Sequence, residues 1–77
     1  MAITVYFFGS LSDISLVSQK EFPLLSDTDA LQQLLQKDFP TLVSSKYFIA
    51  VNKQMIKSNC VLKDGDHVAL MPPFSGG

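Results

Sequence analysis

The chain has 77 residues, 47% of them hydrophobic and 17% charged, which makes it one small domain with a packed interior and is too apolar for a chain disordered as a whole. Six basic and seven acidic side chains leave a net charge of -1 with no basic stripe, so nucleic acid is not an expected partner. The single cysteine, Cys60, cannot form an internal disulfide and falls short of a zinc or iron–sulfur ligand set, which fits a reducing cytoplasm.

The N-terminal run MAITVYFFGS has no basic segment and is too short for a signal sequence or a membrane span, so a soluble chain, unprocessed at its start, is expected. Residues 2–8 are dense in β-branched and aromatic side chains and stop at Gly9-Ser10, which predicts a first strand. Alternation puts Ile3, Val5 and Phe7 on one face and Thr4, Tyr6 and Phe8 on the other. Both faces are largely apolar, as in a central strand with one face in the core and the other covered or used for binding.

A second strand is expected within residues 16–24, where Pro23 favours a sheet edge. Ser26 followed by Asp29 predicts a helix start, and Ala30, Leu31, Leu34 and Leu35 recur at helical spacing with Gln32, Gln33, Gln36 and Lys37 outward. Pro40 limits that helix. A polar linker follows, then a strand over residues 47–51, a tight turn at Asn52-Lys53 and a hairpin partner over residues 54–57. Asp64-Gly65-Asp66 is the next turn, and residues 67–71 form the last strand. The order β-β-α-β-β-β defines an α+β fold, one helix on a mixed sheet of about five strands, over residues 1–72.

The folded part offers little chemistry. His67 beside Asp66 reads first as a solvated strand residue and second as a base, and Cys60 first as an inert half-buried thiol. The end of the chain, residues 73–77, reads as a flexible tail. Pro72-Pro73 removes backbone donors and directs an extended exit, and Phe74 either packs on its own domain or anchors in a partner. Gly76-Gly77 is either a frayed end or a thread slim enough to carry its terminal carboxylate into another protein's narrow site. A carboxylate must be activated before it reacts, and with no nucleotide motif in the chain, activation falls to a partner.

Residues 62–77, LKDGDHVALMPPFSGG, resemble the C-terminal signature of the small, sulfur-carrying subunit of molybdopterin synthase, the MoaD family of ubiquitin-like β-grasp proteins. Val5-Tyr6-Phe7-Phe8 and Ile49-Ala50-Val51-Asn52 fall where that family has its first strand and a later strand end. The chain departs from the pattern at His67, where the family often has an acidic residue, and over residues 10–13, where it has an arginine. The resemblance implies that the Gly77 carboxylate is adenylated with ATP and magnesium by an E1-like enzyme of the MoeB type. A sulfurtransferase then converts it to a thiocarboxylate. It further implies delivery of the sulfur to cyclic pyranopterin monophosphate in the large synthase subunit, in a heterotetramer, with no cofactor, metal or membrane bound by the carrier itself. Phe8, Met71, Pro72, Pro73, Phe74 and Ser75 are the expected partner-binding residues, with Gly76 and Gly77 as the reactive end.

Three rivals share parts of this pattern. A ThiS-type carrier for thiamin thiazole synthesis has the glycine end without the proline pair, a ubiquitin-like modifier would join its glycine end to lysines, and a β-grasp binding module would not use it.

Overall fold

The computed structural model describes residues 1–73; the expectations for Phe74, Ser75, Gly76 and Gly77 lie outside the described residues. The elements run β1 (Ala2–Phe7), α1 (Leu11–Ser15), β2 (Gln19–Pro23), α2 (Thr28–Asp38), a 3₁₀ helix (Pro40–Ser44), β3 (Phe48–Val51), β4 (Gln54–Met55) and β5 (His67–Met71). The five strands form one sheet in the order β2-β1-β5-β3-β4, with β1 and β5 parallel and the other pairs antiparallel. This is the mixed-sheet, ubiquitin-like β-grasp that the sequence implies.

Strand alternation divides the sheet. Ile3, Val5 and Phe7 of β1, Val68 and Leu70 of β5, and Ile49 and Val51 of β3 are buried with Phe22 of β2, and Leu31 and Leu35 of α2 join the same core. The register pairs Val5 with Val68 and Phe7 with Leu70, so the two central strands contribute matched rows to it. Each of these side chains stabilises the fold by roughly 1.5–3 kcal/mol through burial. At the β2 edge Lys20 lies opposite Val5, its ammonium 5.2 Å from the Phe22 ring centre and 5.7 Å from that of Phe39. A charge placed over the end of the core in this way guards an open edge against further strand pairing.

Several expectations are corrected. Residues 11–15 form a one-turn helix where only a turn and the approach to a strand were expected, and Leu11 is 2% exposed, a core residue. That helix ends on Leu16 in the left-handed region, φ 66°, and β2, Gln19–Pro23, follows within the span expected for it. The cap of α2 is Asp27 rather than Ser26: its carboxylate accepts from the Ala30 N–H at 2.9 Å. The Ser26 carbonyl accepts from the Leu62 N–H, and Asp27, with extended dihedrals of φ −158° and ψ 177°, is the residue from which the helix starts at Thr28. The polar linker contains the 3₁₀ helix, whose Leu42 is buried. β1 stops at Phe7 and β4 at Met55, each shorter than expected.

The turn at Asn52-Lys53 has both residues at positive φ, 50° and 71°, as a two-residue hairpin of the primed type requires. Lysine is a poor residue for that geometry, and Asn52 compensates by bonding across to the next turn. Its amide donates to the Asp66 carboxylate at 3.0 Å, and its own carbonyl oxygen Oδ1 accepts from the His67 N–H at 3.0 Å. Among the described residues, no helix is long and apolar enough to cross a membrane.

Candidate functional site

The face of the sheet turned away from α2 is graded along the strands. At one end lies a polar row, Glu21 of β2, Thr4 of β1 and His67 of β5, in register with one another. The next row outward carries Gln19 at its β2 end and then Tyr6, Ala69, Ala50 and Met55, and the last carries Phe48 of β3 beside Met71 of β5, with Phe8 immediately after β1. Polarity therefore falls toward the end of the sheet where β5 leaves it. Phe8 is 49% exposed, Phe48 48% and Met55 54%, while Tyr6 and Met71 are half-buried. Large apolar side chains gathered this way on one face of a small domain mark a surface built to be covered.

The tail leaves from this apolar end. The Phe8 N–H donates to the Leu70 carbonyl at 3.1 Å, which holds the end of β1 against β5 one residue before Met71. Pro72 is half-buried and Pro73 exposed, so the chain quits the sheet at the first proline. Of the residues assigned to the site from sequence, Phe8, Met71, Pro72 and Pro73 thus converge at one end of the sheet. Phe48 and Met55 belong to the same surface and were missed. The signal for Phe48 was the alternation of residues 48–51, which sets it opposite the buried Ile49 and Val51 in direction.

The two isolated candidates separate. His67 lies on the outer face, its Nδ1 and the Tyr6 hydroxyl sharing a hydrogen bond of 2.8 Å, with ring centres 5.7 Å apart. Cys60 sits at the start of α2, where its carbonyl accepts from the Thr28 N–H and its own N–H donates to Thr28 Oγ1, both at 2.9 Å. The sheet lies between them, so they do not form a nucleophile and base pair. Among the described residues, no group of three or more His, Cys, Asp or Glu side chains could hold a metal ion.

The ThiS family model matches residues 5–77. The chain belongs to the ThiS family. Its structure is similar to that of a molybdopterin-converting factor from Helicobacter pylori, solved as a complex of subunits 1 and 2, with 31% identity, a TM-score of 0.75 and full coverage of both chains. The fold is also that of a Pyrococcus furiosus chain named as subunit 1 of a molybdopterin converting factor, TM-score 0.88 at 22% identity, covering 96% of this chain and 99% of that one. Small archaeal modifier protein 1 from Methanosarcina acetivorans has the fold too, TM-score 0.82 at 20% identity, covering 99% and 96%. This ThiS-family chain is a ubiquitin-like sulfur carrier of the MoaD/ThiS type.

Proposed function

We propose that the chain is the sulfur-carrying small subunit of molybdopterin synthase. The observation that carries the reading is the apolar row of Phe8, Met71 and Phe48 at the point where Pro72-Pro73 sends the chain out of the fold. A docking surface contiguous with the tail fixes the distance between the grip and the reactive group, as a carrier visiting several active sites needs. Within the family, the proline pair and the full-length likeness to the Helicobacter pylori complex favour the molybdopterin pathway.

The chemistry is acyl activation followed by sulfur transfer. A partner adenylating enzyme of the E1-like, MoeB type attaches AMP from ATP to the Gly77 carboxylate with release of pyrophosphate, using magnesium. The terminal sulfur of a sulfurtransferase persulfide attacks the acyl carbon and AMP leaves. A thiol then attacks the donor-side sulfur of the resulting acyl disulfide, forming a disulfide with the donor cysteine and releasing the thiocarboxylate. The tail then enters the large subunit, where the thiocarboxylate sulfur bonds to cyclic pyranopterin monophosphate and water hydrolyses the acyl–sulfur bond, leaving the sulfur on the pterin and Gly77 as a carboxylate. Two such rounds build the dithiolene. Phe8, Met71, Pro72, Pro73, Phe74 and Ser75 form the docking and guiding surface, and Gly76 and Gly77 are the thread and the reactive group. A heterotetramer places one carrier at each end of a dimer of large subunits.

The test is intact mass after incubation with ATP, an adenylating enzyme and a sulfur donor. Replacement of one oxygen by sulfur at Gly77 is expected, and an unchanged mass would remove the carrier chemistry. Co-purification then decides the pathway: a large synthase subunit supports the proposal, a thiazole synthase would transfer the chain to thiamin synthesis, and a ladder of conjugates would make it a modifier.

A further inference from the structure

The parallel pairing of β1 and β5 brings the residues after both strands together, and there Gly9 meets Pro72. Gly9 has φ +54°, and a β-carbon built on it would lie 3.0 Å from Pro72 Cγ and 3.6 Å from Cδ. The missing side chain is thus the space the proline ring occupies. We infer that Gly9 is a positioning residue for the C-terminal tail, acting through Pro72 on the direction in which the reactive end leaves the fold; the inference rests on the carrier function proposed above.

Three observations make the tail, rather than Gly9, the part that would yield. The Gly9 carbonyl is held twice, by the Ser12 N–H at 3.1 Å and the Ser12 hydroxyl at 2.8 Å. The preceding carbonyl, of Phe8, accepts from the N–H of Leu11, whose side chain is 2% exposed in the core. The Phe8 N–H is itself bonded to the Leu70 carbonyl. The loop after β1 is therefore pinned on both sides of Gly9, whereas Pro72 has already left the ladder. A side chain at position 9 would push the Pro72 ring by a few tenths of an ångström. Pro72-Pro73 is stiff, so that shift is passed on as a change in the direction in which the chain leaves the fold. A misplacement of about 1 Å at a reacting group can cost on the order of a hundredfold in rate.

Gly9→Asn separates the contact from backbone strain, because asparagine tolerates the left-handed region yet carries a β-carbon. We expect the rate of Gly77 adenylation at saturating carrier to fall on the order of tenfold in both Gly9→Asn and Gly9→Ala, with a smaller change in KM for the carrier, because Phe8, Phe48 and Met71 keep their places while Pro72 shifts. In a Pro72→Ala background the same Gly9→Asn change should have no further effect, since the ring it displaces is gone. Equal losses in both backgrounds, or full activity in Gly9→Asn, would overturn the inference. A second readout is independent of the carrier chemistry. Gly9→Asn should move the amide resonances of Phe74 to Gly77 while those of α2 and β3 stay in place, and unmoved tail resonances would equally overturn it. A wild-type chain that no adenylating enzyme activates would remove the proposed function, and the resonance measurement would still decide the positioning.

Discussion

Asn52 donates from its side-chain amide to Asp66 at 3.0 Å, joining the β3–β4 turn to the turn that launches β5. The second carboxylate oxygen of Asp66 accepts from the Lys63 N–H at 2.8 Å. The bond from Asn52 first, and that from Lys63 next, hold the Asp66 carboxyl below its ordinary value of 3.8. A carboxylate whose folded pKa is depressed adds stability that is complete above its unfolded value and is lost as pH falls through the folded one. The urea midpoint should therefore drop as pH is lowered from about 5 to about 2, and Asp66→Asn should make that drop shallower. Some acid dependence will remain in the variant, because the Ala30 N–H and then the Asn59 amide lower the pKa of Asp27 in the same direction. A variant with the full wild-type acid slope would show that Asp66 contributes nothing to it.

The two faces of β5 predict opposite phenotypes. Met71→Glu, on the outer face, should weaken binding to the adenylating enzyme and to the large synthase subunit by more than tenfold, about 1.4 kcal/mol, without lowering the melting temperature appreciably. Leu70→Ala, one residue earlier but 0% exposed, should cost about 2–5 kcal/mol of stability while leaving the docking residues in place. Calorimetry of binding and denaturant titration separate the two, and unchanged binding by the Met71 variant would displace the docking surface from this face.

Thr28 is 0% exposed, and its hydroxyl accepts from the Cys60 N–H at 2.9 Å while donating to Asn59 Oδ1 at 3.3 Å. Thr28→Val keeps the shape and removes the acceptor, leaving a partly buried N–H without its partner. Denaturant unfolding should show a loss of about 1–3 kcal/mol. Amide exchange at Cys60 should accelerate in the same variant.

Removal of Gly77 should abolish thiocarboxylate formation by mass spectrometry and leave thermal unfolding unchanged, since the core side chains lie between Ile3 and Leu70. A stability loss on this deletion would mean that the end of the chain packs on the domain.

Much of the fold was legible because the strands obey a period of two and the helix one of 3.6. The inward set of β1 and β5, the Asn52-Lys53 turn and the span of β5 follow from that alone. What escaped was short. The five residues of α1 and the five of the 3₁₀ helix are too few to show a period, yet each contributes one buried leucine, Leu11 and Leu42. The helix cap is Asp27 rather than Ser26, and the Ser26 carbonyl is bonded to Leu62, a partner 36 positions away (62 − 26) that no local pattern reveals. At the site, Phe8 and Met71 were readable from alternation, and Phe48 and Met55 were not joined to them because strand order cannot be inferred from periodicity. Gly9 looked like a turn residue; its relation to Pro72 exists only once β1 and β5 are known to run side by side.

That parallel pairing also bears on how the chain is made. β5 is the last strand in sequence and the middle one in the sheet, flanked by the first strand on one side and β3 on the other. During synthesis the sheet has a gap at its centre until residues 67–71 emerge, and a fragment ending before them lacks the core residues Val68 and Leu70 together with Met71 of the outer face. The strand that completes the core is the one that carries the tail. A chain cut short before residue 67 therefore lacks at once the centre of its sheet and the segment that the proposed chemistry would use.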